Sequence, residues 1–131
     1  MQFRVIPVTP FQQNCSLLWC EQTKKAAVVD PGGDLDVVQA AVARFGLGVE
    51  KILLTHGHID HAGGTAELKR RLGVPVEGPQ REELFWIDQL PQQSQMFGFP
   101  RAEAFVPDRW LEDGDVVTFG QVALEVIHTP G

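Results

Sequence analysis

The run Val49 to Thr55 holds three consecutive large aliphatic residues, Ile52-Leu53-Leu54, and ends in Thr55-His56-Gly57-His58. Side chains alternate along a strand, so such a run meets apolar surroundings on both sides, as the central strand of a sheet covered on each face does. A chain containing it must supply two covering layers. The composition allows this within one domain: 131 residues, 44% hydrophobic and 21% charged, with a net charge of -6. The 13 glycines and 9 prolines fall between apolar runs, which points to many short elements joined by turns and away from an all-helical bundle.

The expected order begins with a β-meander: Phe3 to Val8, Cys15 to Cys20 and Ala26 to Val29, the last stopping at Asp30-Pro31-Gly32-Gly33. Asp34 then caps a helix whose Leu35, Val38, Val42 and Phe45 share a face until Gly46. After the Val49 to Thr55 strand come a helix from about Gly63 to Leu72 and a short strand, Val74 to Glu77. Pro79 opens a further helix, with Glu82 and Glu83 near its positive end and Leu84 and Ile87 turned inward, which Pro91 stops. Pro91 to Pro107 reads as a long loop, and Val116 to Phe119 with Val122 to Ile127 as a hairpin whose Val122, Leu124 and Val126 share one face. The fold class is therefore α/β (α+β), a mixed β-sheet covered by helices, with residues 1–131 in one domain. The chain ends on a turn signal, His128-Thr129-Pro130-Gly131, just after a strand, where domains usually close with a packed element.

Several function classes are disfavoured. A sequence pI near 5.1 leaves no basic stripe for nucleic acid, and Lys69-Arg70-Arg71 reads as the solvated face of one helix. The N-terminus lacks the layout of a secretory signal and no apolar stretch approaches the about 18 residues of a membrane span, so a cytoplasmic location is expected. Cys15 and Cys20, five apart, go to opposite faces of a strand and read as free thiols. The Asp30 to Gly33 turn lacks the Lys-Ser/Thr ending of a phosphate-cradling loop. Trp86, Phe97, Phe99, Phe105 and Trp110 read as ordinary packing.

Three of the four histidines stand with one aspartate in His56-Gly57-His58-Ile59-Asp60-His61. The segment joins a buried strand to a helix, which puts it at the carboxyl edge of the sheet, where open α/β folds place ligands. Imidazole nitrogens suit zinc and iron, and Asp60 adds a hard oxygen donor. Metal binding is the strongest functional reading of the residues themselves.

This segment resembles the His-x-His-x-Asp-His signature of metallo-β-lactamase-fold hydrolases. Ile6-Pro7-Val8-Thr9, Gln13-Asn14-Cys15, the Val29 to Gly33 turn and His128-Thr129-Pro130-Gly131 are similar to the compact bacterial glyoxalase II-like, or hydroxyacylglutathione hydrolase-like, branch. The resemblance runs the whole length and implies the N-terminal half of an αββα sandwich. It implies that His56 and His58 hold one metal ion and Asp60 and His61 a second, zinc in the first instance, with iron or manganese as alternatives. It also puts Asp30 and His128 near the site as supporting residues, and gives Asp60 a catalytic part in orienting the attacking water. In the family the next ligand is the histidine directly after a Pro-Gly pair, the pair with which this sequence ends. The implied substrate is a small-molecule glutathione thioester such as S-lactoylglutathione. Two alternatives stand beside it: a glutathione-persulfide dioxygenase-like iron enzyme, and a metal-binding fragment without catalysis of its own.

Overall fold

In the computed structural model, which describes residues 1–8, 13–96 and 102–127 and leaves out the side chains of Gln13 and Asp60, five strands form one mixed sheet in the order β1-β2-β3-β4-β5. β1 (Gln2–Val8), β2 (Gln13–Trp19) and β3 (Lys25–Val29) pair antiparallel as a meander. β4 (Gly48–Leu53) lies parallel to β3 and β5 (Val76–Glu77) parallel to β4. Parallel neighbours need a crossover, and helices provide both: α1 (Leu35–Arg44) between β3 and β4, then α2 (Ile59–Ala62) and α3 (Thr65–Leu72) between β4 and β5.

The covering layers differ in kind. On one face Leu17, Val28, Ile52 and Leu54 pack with Leu35 and Val38 of α1 and Leu68 of α3. On the other, Ala27 and Leu53 meet Leu111 and the hairpin of β6 (Val116–Phe119) and β7 (Val122–Glu125), through Val117 and Phe119. The aliphatic run of β4 is thus buried from both sides, and Val122, Leu124 and Val126 share the inner side of the hairpin. Cys15 packs with the helix-side cluster while Cys20 stands against Gly120 of the hairpin turn; both are buried and unbridged. Lys69 and Arg71 pair with Asp108 and Asp36 at 2.7 and 2.9 Å, and Arg70 with Glu103. Among the described residues no helix is long and apolar enough to cross a membrane.

The expectations need correction in four places. The helix from Gly63 begins earlier and is broken: α2 ends at Ala62, and α3 starts only at Thr65. A Cβ on Gly63 would sit 2.8 Å from the Gly32 carbonyl oxygen, and one on Gly64 2.7 Å from that of Pro31, so the break presses backbone against backbone. Pro91 does not stop a helix. It stands second in α5 (Leu90–Met96), where a missing N–H costs nothing because first-turn donors have no intrahelical partner. The long loop expected from Pro91 therefore starts later, and residues 97–101 lie outside the described set. Before α5, a 3-10 turn (Arg81–Glu83) leads into the short α4 (Leu84–Asp88). Asp34 takes the N-cap position of α1 in a left-handed conformation, φ 50°, rather than the extended one of a capping residue, and its side chain makes no cap hydrogen bond.

Candidate metal centre

β3 and β4 run parallel, so their carboxyl ends arrive side by side: Asp30 N–H donates to the Leu53 carbonyl at 2.9 Å. Asp30 follows β3 at φ 55° and is buried, 5% exposed. Its carboxylate accepts from Thr55 N–H at 2.8 Å and from the Thr55 hydroxyl at 2.5 Å, which locks the exit of β4. Its Oδ2 also lies 3.0 Å from His61 Nδ1. A carboxylate at that distance keeps the proton on Nδ1 and leaves the lone pair on Nε2, the arrangement by which proteins orient metal-binding imidazoles.

The other two imidazoles stand on the elbow between β4 and α2. The rings of His56 and His61 are 4.8 Å apart and nearly perpendicular, and those of His56 and His58 are 6.4 Å apart. The elbow rests on the arm formed by the 3-10 turn, α4 and α5. Glu83 Oε1 lies 3.4 Å from His56 Nδ1 and 3.3 Å from Gly57 N, and the Trp86 ring lies 4.4 Å from that of His58. Gln93 accepts from Ile59 N–H at 3.1 Å and donates to the Trp86 carbonyl at 3.1 Å. A Cβ on Gly57 would come within 2.8 Å of the Glu83 carbonyl oxygen, so glycine is what allows this approach.

The structure thus brings His56, His58, His61 and Asp30 together. The Asp60 side chain and His128 lie outside the described residues, as do Phe97 and Phe99. Among the described residues no three His, Cys, Asp or Glu side chains converge on a single ion position. The donor chemistry nevertheless fits a divalent ion of zinc or iron type: neighbouring imidazoles, one with its tautomer fixed by a buried carboxylate. Sequence reasoning missed Glu83, Trp86 and Gln93. Glu83 reads as a helix-start acid, and no spacing rule ties it to an imidazole 27 positions earlier.

Beside the elbow opens a cavity of about 680 Å³, lined by His56, His58, Glu83 and Trp86 on one side and by Leu53 and Val117 on the other. Cys15 is no competing ligand there: burial, reinforced by the Asp30 charge, pushes its thiol up to about 12. A thiol must ionise to bind metal well.

Residues 8–131 match the family model of the metallo-beta-lactamase superfamily. The chain is 41% identical, over its whole length, to the hydroxyacylglutathione hydrolase GloC of Haemophilus influenzae, and covers 62% of that protein. Among solved structures, the BLEG-1 B3 metallo-beta-lactamase superposes over 99% of this chain and 62% of its own, with a TM-score of 0.85 and 32% identity. TTHA1623, solved in a di-iron-bound form, covers 98% of this chain and 61% of its own, with a TM-score of 0.83 and 29% identity. The chain therefore spans about three fifths of the length of each of these three proteins. With a family model that matches residues 8–131 and a fold shared with these structures, the chain belongs to the metallo-beta-lactamase superfamily.

Proposed function

We propose that residues 1–131 are the front portion of a metal-dependent hydrolase of glyoxalase II type, cytoplasmic, which cleaves a glutathione thioester such as S-lactoylglutathione. The observation that carries this reading is the set of three imidazoles at the carboxyl end of β4, one held by Asp30, beside a cavity with room for a small molecule. The 41% identity to a hydroxyacylglutathione hydrolase supports the choice of substrate. His56 and His58 would hold one ion, and Asp60 and His61 a second. Bound there, a divalent ion would make water acidic enough to ionise near neutral pH and would polarise the thioester carbonyl.

The chain's own groups have distinct tasks. Asp30 holds the His61 proton on Nδ1 and, through Thr55, fixes where the elbow leaves the sheet. Asp60 would orient the attacking water and help with its proton. The apolar wall of Leu53 and Val117 keeps bulk water from one side of the cavity. The leaving thiol has a pKa of about 8.5, so its thiolate departs without a strong general acid.

A second reading, a glutathione-persulfide dioxygenase-like iron enzyme, is favoured by the di-iron form of TTHA1623. A third is that these 131 residues bind metal without turning over. One set of measurements separates all three: zinc and iron content, hydrolysis of S-lactoylglutathione, and oxygen uptake with glutathione persulfide. Bound metal with thioester hydrolysis is the expected result; oxygen uptake without hydrolysis, or metal without turnover of either substrate, would replace it.

A further inference from the structure

We propose that Glu83 is a positioning residue for the metal site, orienting His56 from the helical arm as Asp30 orients His61 from the sheet; this rests on the metal-site reading above. Glu83 ends the 3-10 turn and its side chain is about one fifth exposed, shielded enough that a solvent-facing helix-start acid is not an adequate description. Its Oε1 faces two donors of the elbow at once, His56 Nδ1 at 3.4 Å and Gly57 N–H at 3.3 Å. Both distances lie just beyond the about 2.7 to 3.2 Å usual for an N–H···O bond, as for one oxygen placed between two groups; of the two, the Gly57 N–H makes the hydrogen bond and the His56 ring stands within ion-pair reach.

The consequence for His56 is a choice of tautomer. With a carboxylate at Nδ1 the proton resides there, and Nε2 carries the lone pair a metal needs. The same carboxylate ties the backbone of Gly57, so it fixes ring and elbow together. Gly57 makes the contact possible, since any Cβ would strike the Glu83 backbone and push the arm away. Trp86, three residues further on, lies against the His58 ring, so one short arm steadies both imidazoles of the proposed first ion.

The test compares three substitutions in the full chain by two readouts. The first is the tautomer of His56 in metal-free protein, from the nitrogen shifts of labelled histidine; the second is zinc retention against a chelator. Wild type is expected to carry the His56 proton on Nδ1. Glu83→Ala should move it to Nε2 and weaken zinc about 10- to 100-fold, as loss of a ligand-orienting partner typically does. Glu83→Gln keeps an acceptor of the same reach and should stay within about threefold of wild type. Glu83→Asp keeps the charge but loses the reach, and should resemble Glu83→Ala. A role confined to stability would leave the tautomer unmoved and give no rescue by glutamine. Should Glu83→Ala fail to fold, the Gln and Asp variants decide alone.

An unchanged tautomer in Glu83→Ala or Glu83→Asp, or zinc held by either as tightly as by wild type, overturns the proposal. Failure of the metal reading looks different: wild type itself takes up no ion, while the metal-free tautomer still reports whether Glu83 governs His56.

Discussion

Two carboxylates serve the histidine cluster from opposite sides, and they differ in how they are held. Asp30 is rooted in the sheet: its side chain is 7% exposed, it lies 3.0 Å from His61, and it also fixes Thr55. Glu83 comes from a 3-10 turn and short helix, is three times as exposed, and lies 3.4 Å from a His56 ring that is itself 41% exposed. The first contact is part of the fold's own hydrogen bonding. The second is a contact between an elbow and an arm, closed by the packing of Ile87 and Leu90 in the core. A site built this way takes the orientation of one imidazole from the sheet and that of another from the helical arm.

The largest effect that follows concerns stability. Asp30→Ala leaves the Thr55 N–H and hydroxyl without their acceptor near a buried strand end and puts alanine at φ 55°, so a loss of roughly 3 kcal/mol is expected from urea unfolding of metal-free protein. Glu83→Ala, which removes one acceptor from the Gly57 N–H and a neighbour of a half-exposed ring, should cost about 1 kcal/mol. Equal losses would erase the distinction between a sheet-rooted and an arm-borne support.

Glycines sharpen the same contrast. Gly64→Ala forces a methyl group to within 2.7 Å of the Pro31 carbonyl oxygen and 2.8 Å of Leu35, on the turn that carries Asp30 into α1. Neither neighbour yields easily, and a loss of about 2 to 3 kcal/mol is expected. Gly57→Ala meets the Glu83 carbonyl oxygen at 2.8 Å, then Ile87 and Trp86 side-chain atoms at 3.1 and 3.2 Å. Only one of these contacts falls below 3.0 Å, against two at Gly64, so the cost should be smaller, about 1 to 2 kcal/mol, with the His56 tautomer disturbed as in Glu83→Ala. Thermal unfolding of the two variants side by side checks the order.

The same division explains what could be read in advance. The meander, the doubly buried β4, the α1 face and the hairpin are written in local periodicity, because strand and helix each repeat their buried positions at a fixed interval. Asp30 was legible through its place at a strand end beside the resemblance to known hydrolases. The arm was not: Pro91 reads as a stop when seen from Ile87 and as a start when seen from Gln93, and periodicity cannot choose over so short a stretch. Glu83 and Gln93 act through side-chain hydrogen bonds to backbone 26 and 34 positions away, contacts that leave no pattern in a sequence.

A last contrast is a pH dependence that separates the sheet end from the hairpin end of the molecule. Cys15 lies on the Asp30 side, where burial first and the Asp30 charge second push its thiol from 9.0 up to about 12. Cys20 lies at the other end of β2, where the Thr23 hydroxyl and backbone N–H groups bring it down to about 7. The signs oppose. Between about pH 7 and 9 the folded chain has already lost the Cys20 proton that the unfolded chain keeps, so this thiol adds stability as pH rises and that gain is lost as pH falls through 7. Above pH 9 the folded chain retains the Cys15 proton that the unfolded chain loses, so stability declines up to about 12. Denaturant midpoints at pH 7, 9 and 10 should therefore rise and then fall. Cys20→Ala should remove the rise and Cys15→Ala the fall, each relative to its own value at pH 7. Asp30→Asn should soften the Cys15 decline without abolishing it, because burial is the larger cause. If Asp30→Asn abolished the decline altogether, the carboxylate rather than the packing of the sheet would be what closes that end of the site.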